Sequence, residues 1–178
     1  MTVGRRDFLV GTLTGMAGLA TLGASARAFA TEAKSLSFYH IHTSEKLQIV
    51  YREGGELVAG ALEEINHFLR DFRNDQTHAI DVALLDSLSS LYEQFDRRGN
   101  FEVISGYRSP RTNEALRHVT TGVAKDSLHV SGRAIDVRLT SAPTAKLRDA
   151  AIAMQRGGVG YYPKSNFVHI DTGKFRTW

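Results

Sequence analysis

Three residues combine metal-ligating side chains with a spacing that lets strands bring them together: His129, Asp136 and His169. Over residues 134–139, strand alternation puts Ile135, Val137 and Leu139 on one face and Asp136 and Arg138 on the other. Over residues 167–171, Val168 and Ile170 share one face and His169 and Asp171 the opposite one. His129 precedes Asp136 by seven residues, and Gly132 between them allows the chain to turn the imidazole back toward the carboxylate. One carboxylate and two imidazoles make a three-ligand zinc set with a fourth position left for water, the pattern of a catalytic site. Zinc there would lower the pKa of water toward ~7 and polarise a carbonyl. The ordinary alternative is an Asp136 ion pair with Arg133 or Arg138, with both histidines merely packed.

The elements that must position these residues follow from periodicity. Residues 36–42 and 47–51 read as a β-hairpin. Leu57, Ala61, Ile65, Phe68, Leu69 and Phe72 form a helical stripe over 56–72. A second helix is expected over 81–97, with Gly99 as its C-terminal cap. Ser109-Pro110 opens a third to about residue 118, and a fourth runs from 144 to 156. Strands are expected at 101–105, 134–139, 159–162 and 167–171. This is an α+β domain with helices packed on one face of a mainly antiparallel sheet. His40 and His42 share a strand face on this reading and are cleft-lining candidates, with a structural role favoured. His67, His78 and His118 read as solvated, and Asp71 with Arg70 and Arg73 as a charged helix end. Alternation sends one of Tyr161 and Tyr162 to the core and the other to the cleft.

Length and composition fit one domain: 178 residues, 42% hydrophobic and 23% charged. The absence of cysteine excludes thiolate nucleophiles, cysteine-ligated zinc and iron–sulfur clusters. Arg5-Arg6 followed by a glycine-diluted apolar run and two small-residue cleavage sites reads as a twin-arginine export signal over 1–30. The run is short and weakly apolar for a membrane span, and the alternative reading is an uncleaved membrane anchor. The expected boundaries are therefore a signal at 1–30 and one domain at 31–178, located in the periplasm. The signal holds Arg5, Arg6 and Arg27 against Asp7, so 19 of 22 basic and 18 of 19 acidic residues remain in the mature chain. No basic tract alternates with aromatics, which argues against a nucleic-acid partner.

The run from Ser127 to Asp136, Ser-Leu-His-Val-Ser-Gly-Arg-Ala-Ile-Asp, resembles the S-x-H-x-x-G-x-A-x-D signature of M15-type metallopeptidases, the D-Ala-D-Ala carboxypeptidases and dipeptidases. Ser105-Gly106-Tyr107-Arg108-Ser109 resembles their S-G-x-R-S element, and Phe167-Val168-His169 their last-ligand segment. Residues 157–163 and 167–173, the twin-arginine signal and the hairpin around His40 and His42 resemble the murein endopeptidase K subgroup. The resemblance implies an M15-like fold, one Zn2+ held by His129, Asp136 and His169, and Arg108 near the substrate carbonyl. A guanidinium suits that place because it stays charged and donates several hydrogen bonds; its ordinary alternative is to tie a helix to the sheet.

Many members of that family carry Glu or Asp three residues before the last ligand as general base. Here the position is Asn166, which accepts no proton at neutral pH. Asp171, on the His169 face, is the leading substitute; its competing role is to orient a ligand imidazole. Asp126 is an outside candidate. The implied function is a zinc-dependent endopeptidase acting on peptidoglycan stem-peptide cross-links, in cell-wall remodelling. The alternatives are a D-Ala-D-Ala carboxypeptidase and a non-catalytic zinc-containing or peptidoglycan-binding module.

Overall fold

The computed structural model describes residues 33–120 and 122–178; the export signal expected over 1–30 lies outside them. Among the described residues eight strands form one sheet. They are β1 (Lys34–His40), β2 (Lys46–Glu53), β3 (Glu56–Leu57), β4 (Phe101–Ser105), β5 (Ala134–Leu139), β6 (Gly158–Tyr162), β7 (Phe167–Asp171) and β8 (Arg176–Thr177). Their order is β3-β2-β1-β4-β5-β7-β6-β8. Only β1/β4 and β6/β8 pair in parallel. The helices are α1 (Ala61–Phe68), α2 (Val82–Gln94), α3 (Pro110–Val119) and α4 (Thr144–Met154). None of them is long and apolar enough to cross a membrane. The α+β class with a mainly antiparallel sheet is as the sequence implies.

Alternation separates core from groove. Ile135, Val137, Val159, Val168 and Ile170 are buried against Leu84, Leu88 and Leu91 of α2 and Leu147 and Ala151 of α4. Each such aliphatic side chain contributes about 1.5–3 kcal/mol when fully buried. Register carries the opposite face. Ser105 pairs with Asp136, Asp136 with His169, and His169 with Gly160, so one polar row crosses β4, β5, β7 and β6.

Two expectations are corrected. The first helix is shorter than 56–72, because Glu56 and Leu57 pair with β2 and Gly60, at φ 78°, turns the chain before the helix starts. Leu57 is accordingly exposed. The second helix stops at Gln94; Asp96 and Arg97 take positive φ before Gly99 does. His40 and His42 stay off the groove, in line with the structural reading favoured for them. His40 sits opposite Val103 on the helix-facing side, fully buried beside Phe68 and Phe72, and His42 stacks on Phe72.

His40 Nδ1 accepts from the His42 amide at 3.3 Å, so Nε2 carries the proton, and no group among the described residues receives it. Burial, helped by neighbouring His42, pushes its pKa down to about 4. The folded value lies below the unfolded 6.5. The unfolded chain therefore takes a proton that the folded chain refuses. Stability is complete above pH 6.5 and falls as pH drops toward 4. At pH 5 the loss from this residue alone is about 2 kcal/mol. Urea unfolding at pH 7.5 and pH 5 should show a smaller pH-dependent loss in His40→Leu than in wild type by about that amount. Equal losses would mean that folded His40 protonates as readily as the unfolded chain.

Candidate metal centre

His129 lies in a single 3-10 turn, Leu128–Ser131, that ends at Gly132 with φ 66°. A side chain at Gly132 would also run into the Ala79 carbonyl, so glycine is required both for the bend and for the space. The turn delivers the imidazole under β5. Asp136 and His169 arrive as cross-strand neighbours. One ligand atom from each of the three lies within 4.8 Å of the others. His129 and Asp136 are buried, and the His169 side chain is 12% exposed.

The backs of both imidazoles are fixed. His129 Nδ1 donates to the Gly106 carbonyl at 2.7 Å, which leaves Nε2 as an acceptor, 3.3 Å from Asp136 Oδ2. His169 Nε2 meets Asp171 Oδ2 at 3.0 Å, and its Nδ1 faces Asp136 Oδ1 at 2.9 Å. With His169 neutral, two nitrogen lone pairs and two carboxylate oxygens converge; the proton that His169 otherwise carries on Nδ1 is the set's one donor. Burial alone would lower the pKa of His169, yet the hydrogen bonds to Asp136 and Asp171 raise it to about 9. Burial likewise opposes ionisation of Asp136, and His129 and His169 more than reverse this, holding it well below the usual carboxylate range. The cluster attracts a cation, and its donor types suit a zinc ion bound by two imidazoles and a carboxylate.

Asp171 is placed behind His169. Its carboxylate accepts from His169 Nε2, from the Gly158 and Gly173 amides at 3.0 and 2.8 Å, and from Arg176 at 2.7 Å. Its side chain is fully buried, and these donors overcome burial to hold it ionised well below the ordinary range. Of the two roles open to it in the sequence, this geometry favours orienting the imidazole. Asn166 takes φ 53° in the β6–β7 turn, and its Oδ1 accepts from Thr144 at 2.8 Å. It lines a separate hollow with Glu102 and Arg138. Ser165 is the residue of this turn that lines the groove.

The groove over the cluster has a volume of about 610 Å³. Arg108 lines it, only 9% exposed, with NH2 3.9 Å from Asp136 Oδ2 and 3.3 Å from Ser105 Oγ. Its Nε has no partner among the described residues. Burial lowers the guanidinium pKa, while Asp136 works the other way. Asp126, exposed, is the only carboxylate besides Asp136 that lines the groove among the described residues. Tyr162 lines it too, while Tyr161 packs on the core, as alternation requires.

Sequence reasoning missed two residues that build the Arg108 loop. Asp71 is fully buried, accepting from the Ser109 amide at 3.0 Å and the Arg73 amide at 3.2 Å, and is not part of a charged helix end. Asn113 accepts from Arg108 NH1 and donates to the Ala124 and Lys125 carbonyls, joining the arginine to the loop that forms the opposite wall. The run Asp71-Phe72-Arg73-Asn74-Asp75 carried a signal for the first: Asx side chains that bond backbone two residues on.

The family model described as peptidoglycan L,D-endopeptidase MepK matches residues 28–178. The chain belongs to this M15 peptidase family. It is 42% identical over 143 residues to peptidoglycan L,D-endopeptidase MepK of Escherichia coli K12, covering 80% of this chain and 79% of that protein. The same identity and coverage hold for the MepK protein of Shigella flexneri. A probable MepK of Haemophilus influenzae is 39% identical over 144 residues, 80% of this chain and 77% of that one.

Two outcomes follow from this geometry. Asp171→Asn should weaken metal binding about 10- to 100-fold with all three facing ligands in place, read by competition against a zinc-binding dye. Unchanged affinity would remove Asp171 from ligand orientation. Asp71→Ala should lower the unfolding free energy by about 1–3 kcal/mol for each of the two amides left without an acceptor. An unchanged urea midpoint would show that the arginine loop holds itself.

Proposed function

We propose that the protein is an exported, zinc-dependent endopeptidase that hydrolyses peptide cross-links of peptidoglycan, with L,D-bonds as its target. The single observation that carries the metal reading is the convergence of four acceptor atoms from His129, Asp136 and His169. Family membership carries the peptidase reading, and the named relatives carry the bond type. Residues 1–30 are the twin-arginine signal in this reading, 31–178 the enzyme, and the periplasm its site of action.

When bound, zinc supplies Lewis-acid activation of water and of the scissile carbonyl. The chain's own groups do the rest. The Gly106 carbonyl and Asp171 hold the two imidazoles in the tautomers that turn Nε2 of His129 and Nδ1 of His169 toward Asp136. Arg108 presents an underused, largely buried guanidinium to the groove, where a developing oxyanion would find a donor already in place. Asp171 acts through His169 as a positioning residue.

The test is digestion of purified cross-linked peptidoglycan, with products identified by mass spectrometry. Wild type should convert cross-linked dimers to monomers, chelation should stop it, and zinc should restore it. His169→Ala should be inactive, and Arg108→Lys should lose about 10²-fold in kcat. Release of a terminal D-Ala alone would replace the endopeptidase reading with a carboxypeptidase. No hydrolysis with zinc stoichiometrically bound would replace it with a binding module.

A further inference from the structure

On the His169 side of the groove stands an aromatic group that the metal cluster does not need. Trp178 is half exposed, with its ring centroid 5.3 Å from that of His169. It occupies the space over Gly160, where a Cβ would approach the indole to 2.6 Å. Its Nε1 donates to Tyr162 Oη at 2.9 Å. The Tyr162 ring is stacked on Phe167, with centroids 4.5 Å apart and an interplanar angle of 16°. All three line the groove.

The direction of that one hydrogen bond matters. An indole N–H only donates, so Tyr162 Oη accepts there and its own proton must go elsewhere. Among the described residues nothing accepts it. The stack fixes the ring and the indole fixes one side of the oxygen, so the O–H is held in place for an acceptor that enters the groove. The oxygen lies beside Trp178, whose ring adjoins that of His169, and near enough to Arg108 to act on its charge. The groups of a peptide that accept a neutral O–H are its carbonyls.

We propose that Tyr162, oriented by Trp178, donates a hydrogen bond to a backbone carbonyl of the peptide substrate flanking the scissile bond, and so sets substrate affinity. This rests on the peptidase reading of the same groove. Trp178 is also the chain's only tryptophan, so its fluorescence reports occupancy of this wall without any turnover.

The experiment compares wild type with Tyr162→Phe, both zinc-loaded, using an L,D-cross-linked muropeptide dimer as the probe. Tyr162→Phe keeps the ring stack and removes the hydroxyl, and with it both the donor to the groove and the acceptor for Trp178 Nε1. KM, and the Kd from Trp178 fluorescence at a temperature where cleavage is slow, should rise about three- to tenfold, the range one neutral hydrogen bond supplies. The kcat should stay within twofold, with zinc content and unfolding midpoint unchanged. KM and Kd equal to wild type would overturn the proposal, as would a fall in kcat alone. If wild type binds the dimer without cleaving it and Tyr162→Phe binds more weakly, the hydrogen bond stands and the peptidase reading falls. If wild type cleaves and Tyr162→Phe matches it, the reverse holds.

Discussion

Four acceptor atoms facing one another inside a protein are unstable company unless a positive charge lies among them. That is the constraint on which this structure turns. His129 Nε2, His169 Nδ1 and the two oxygens of Asp136 converge because the opposite nitrogens are already committed to Gly106 and Asp171. A proton on His169 relieves the cluster in part, which is why its pKa stands at about 9 against the pull of burial. A divalent cation would relieve it fully, held by all three side chains at once. The supporting bonds therefore matter as much as the ligands. Freed to rotate, either imidazole would present an N–H and the cluster would lose its reason to hold a metal.

The sheet supplies the rigidity this requires. Asp136 and His169 are paired across β5 and β7, each flanked by apolar neighbours pointing into the opposite face. A one-residue slip of either strand would exchange polar row and core together, so hydrophobic burial enforces the position of the site. The third ligand comes from outside the sheet and needs a different device: a short turn ended by Gly132 and pinned to the arginine loop, where the Arg108 amide donates to the His129 carbonyl at 3.1 Å. Arg108 and His129 thus share one support, which Asp71 anchors from below through Ser109.

What could be read in the chain was whatever local periodicity fixes. Strands β4, β5 and β7, the Ser109 cap and the faces of Asp136 and His169 follow from alternation and capping chemistry alone, as does the split of Tyr161 from Tyr162, though not which of the two turns to the groove. What could not be read depends on contacts remote in sequence. His40 shares its strand's alternation with a cleft-lining residue, but pairing of β1 with β4 turns it to the helices. Asp71 looked like a solvated helix end because the apolar stripe runs to Phe72; the helix stops at Phe68 and the carboxylate folds under residues 106–109 instead. Asn166 shows the same limit. Its residue type alone ruled it out as the general base three residues before His169; the positive-φ turn that sends its side chain to Thr144 was not legible.

The site therefore divides by how it is held. The ligands and their backing groups sit on paired strands and a locked turn, with little freedom to shift. The groove walls come from elsewhere: Thr120 and residues 122–127 on one side, tied down through Asn113, and the short edge strand β8 with Trp178 on the other. Bonds made to a metal and to a developing charge lose strength steeply with small displacements, which favours sheet-borne residues for them. Substrate contacts tolerate adjustment and gain from it, since a cross-linked peptide must enter between two walls. Loop and edge residues suit that task, and such positions accept sequence change without disturbing the core. Chemistry held by the sheet and specificity held by its margins can then vary separately on one scaffold.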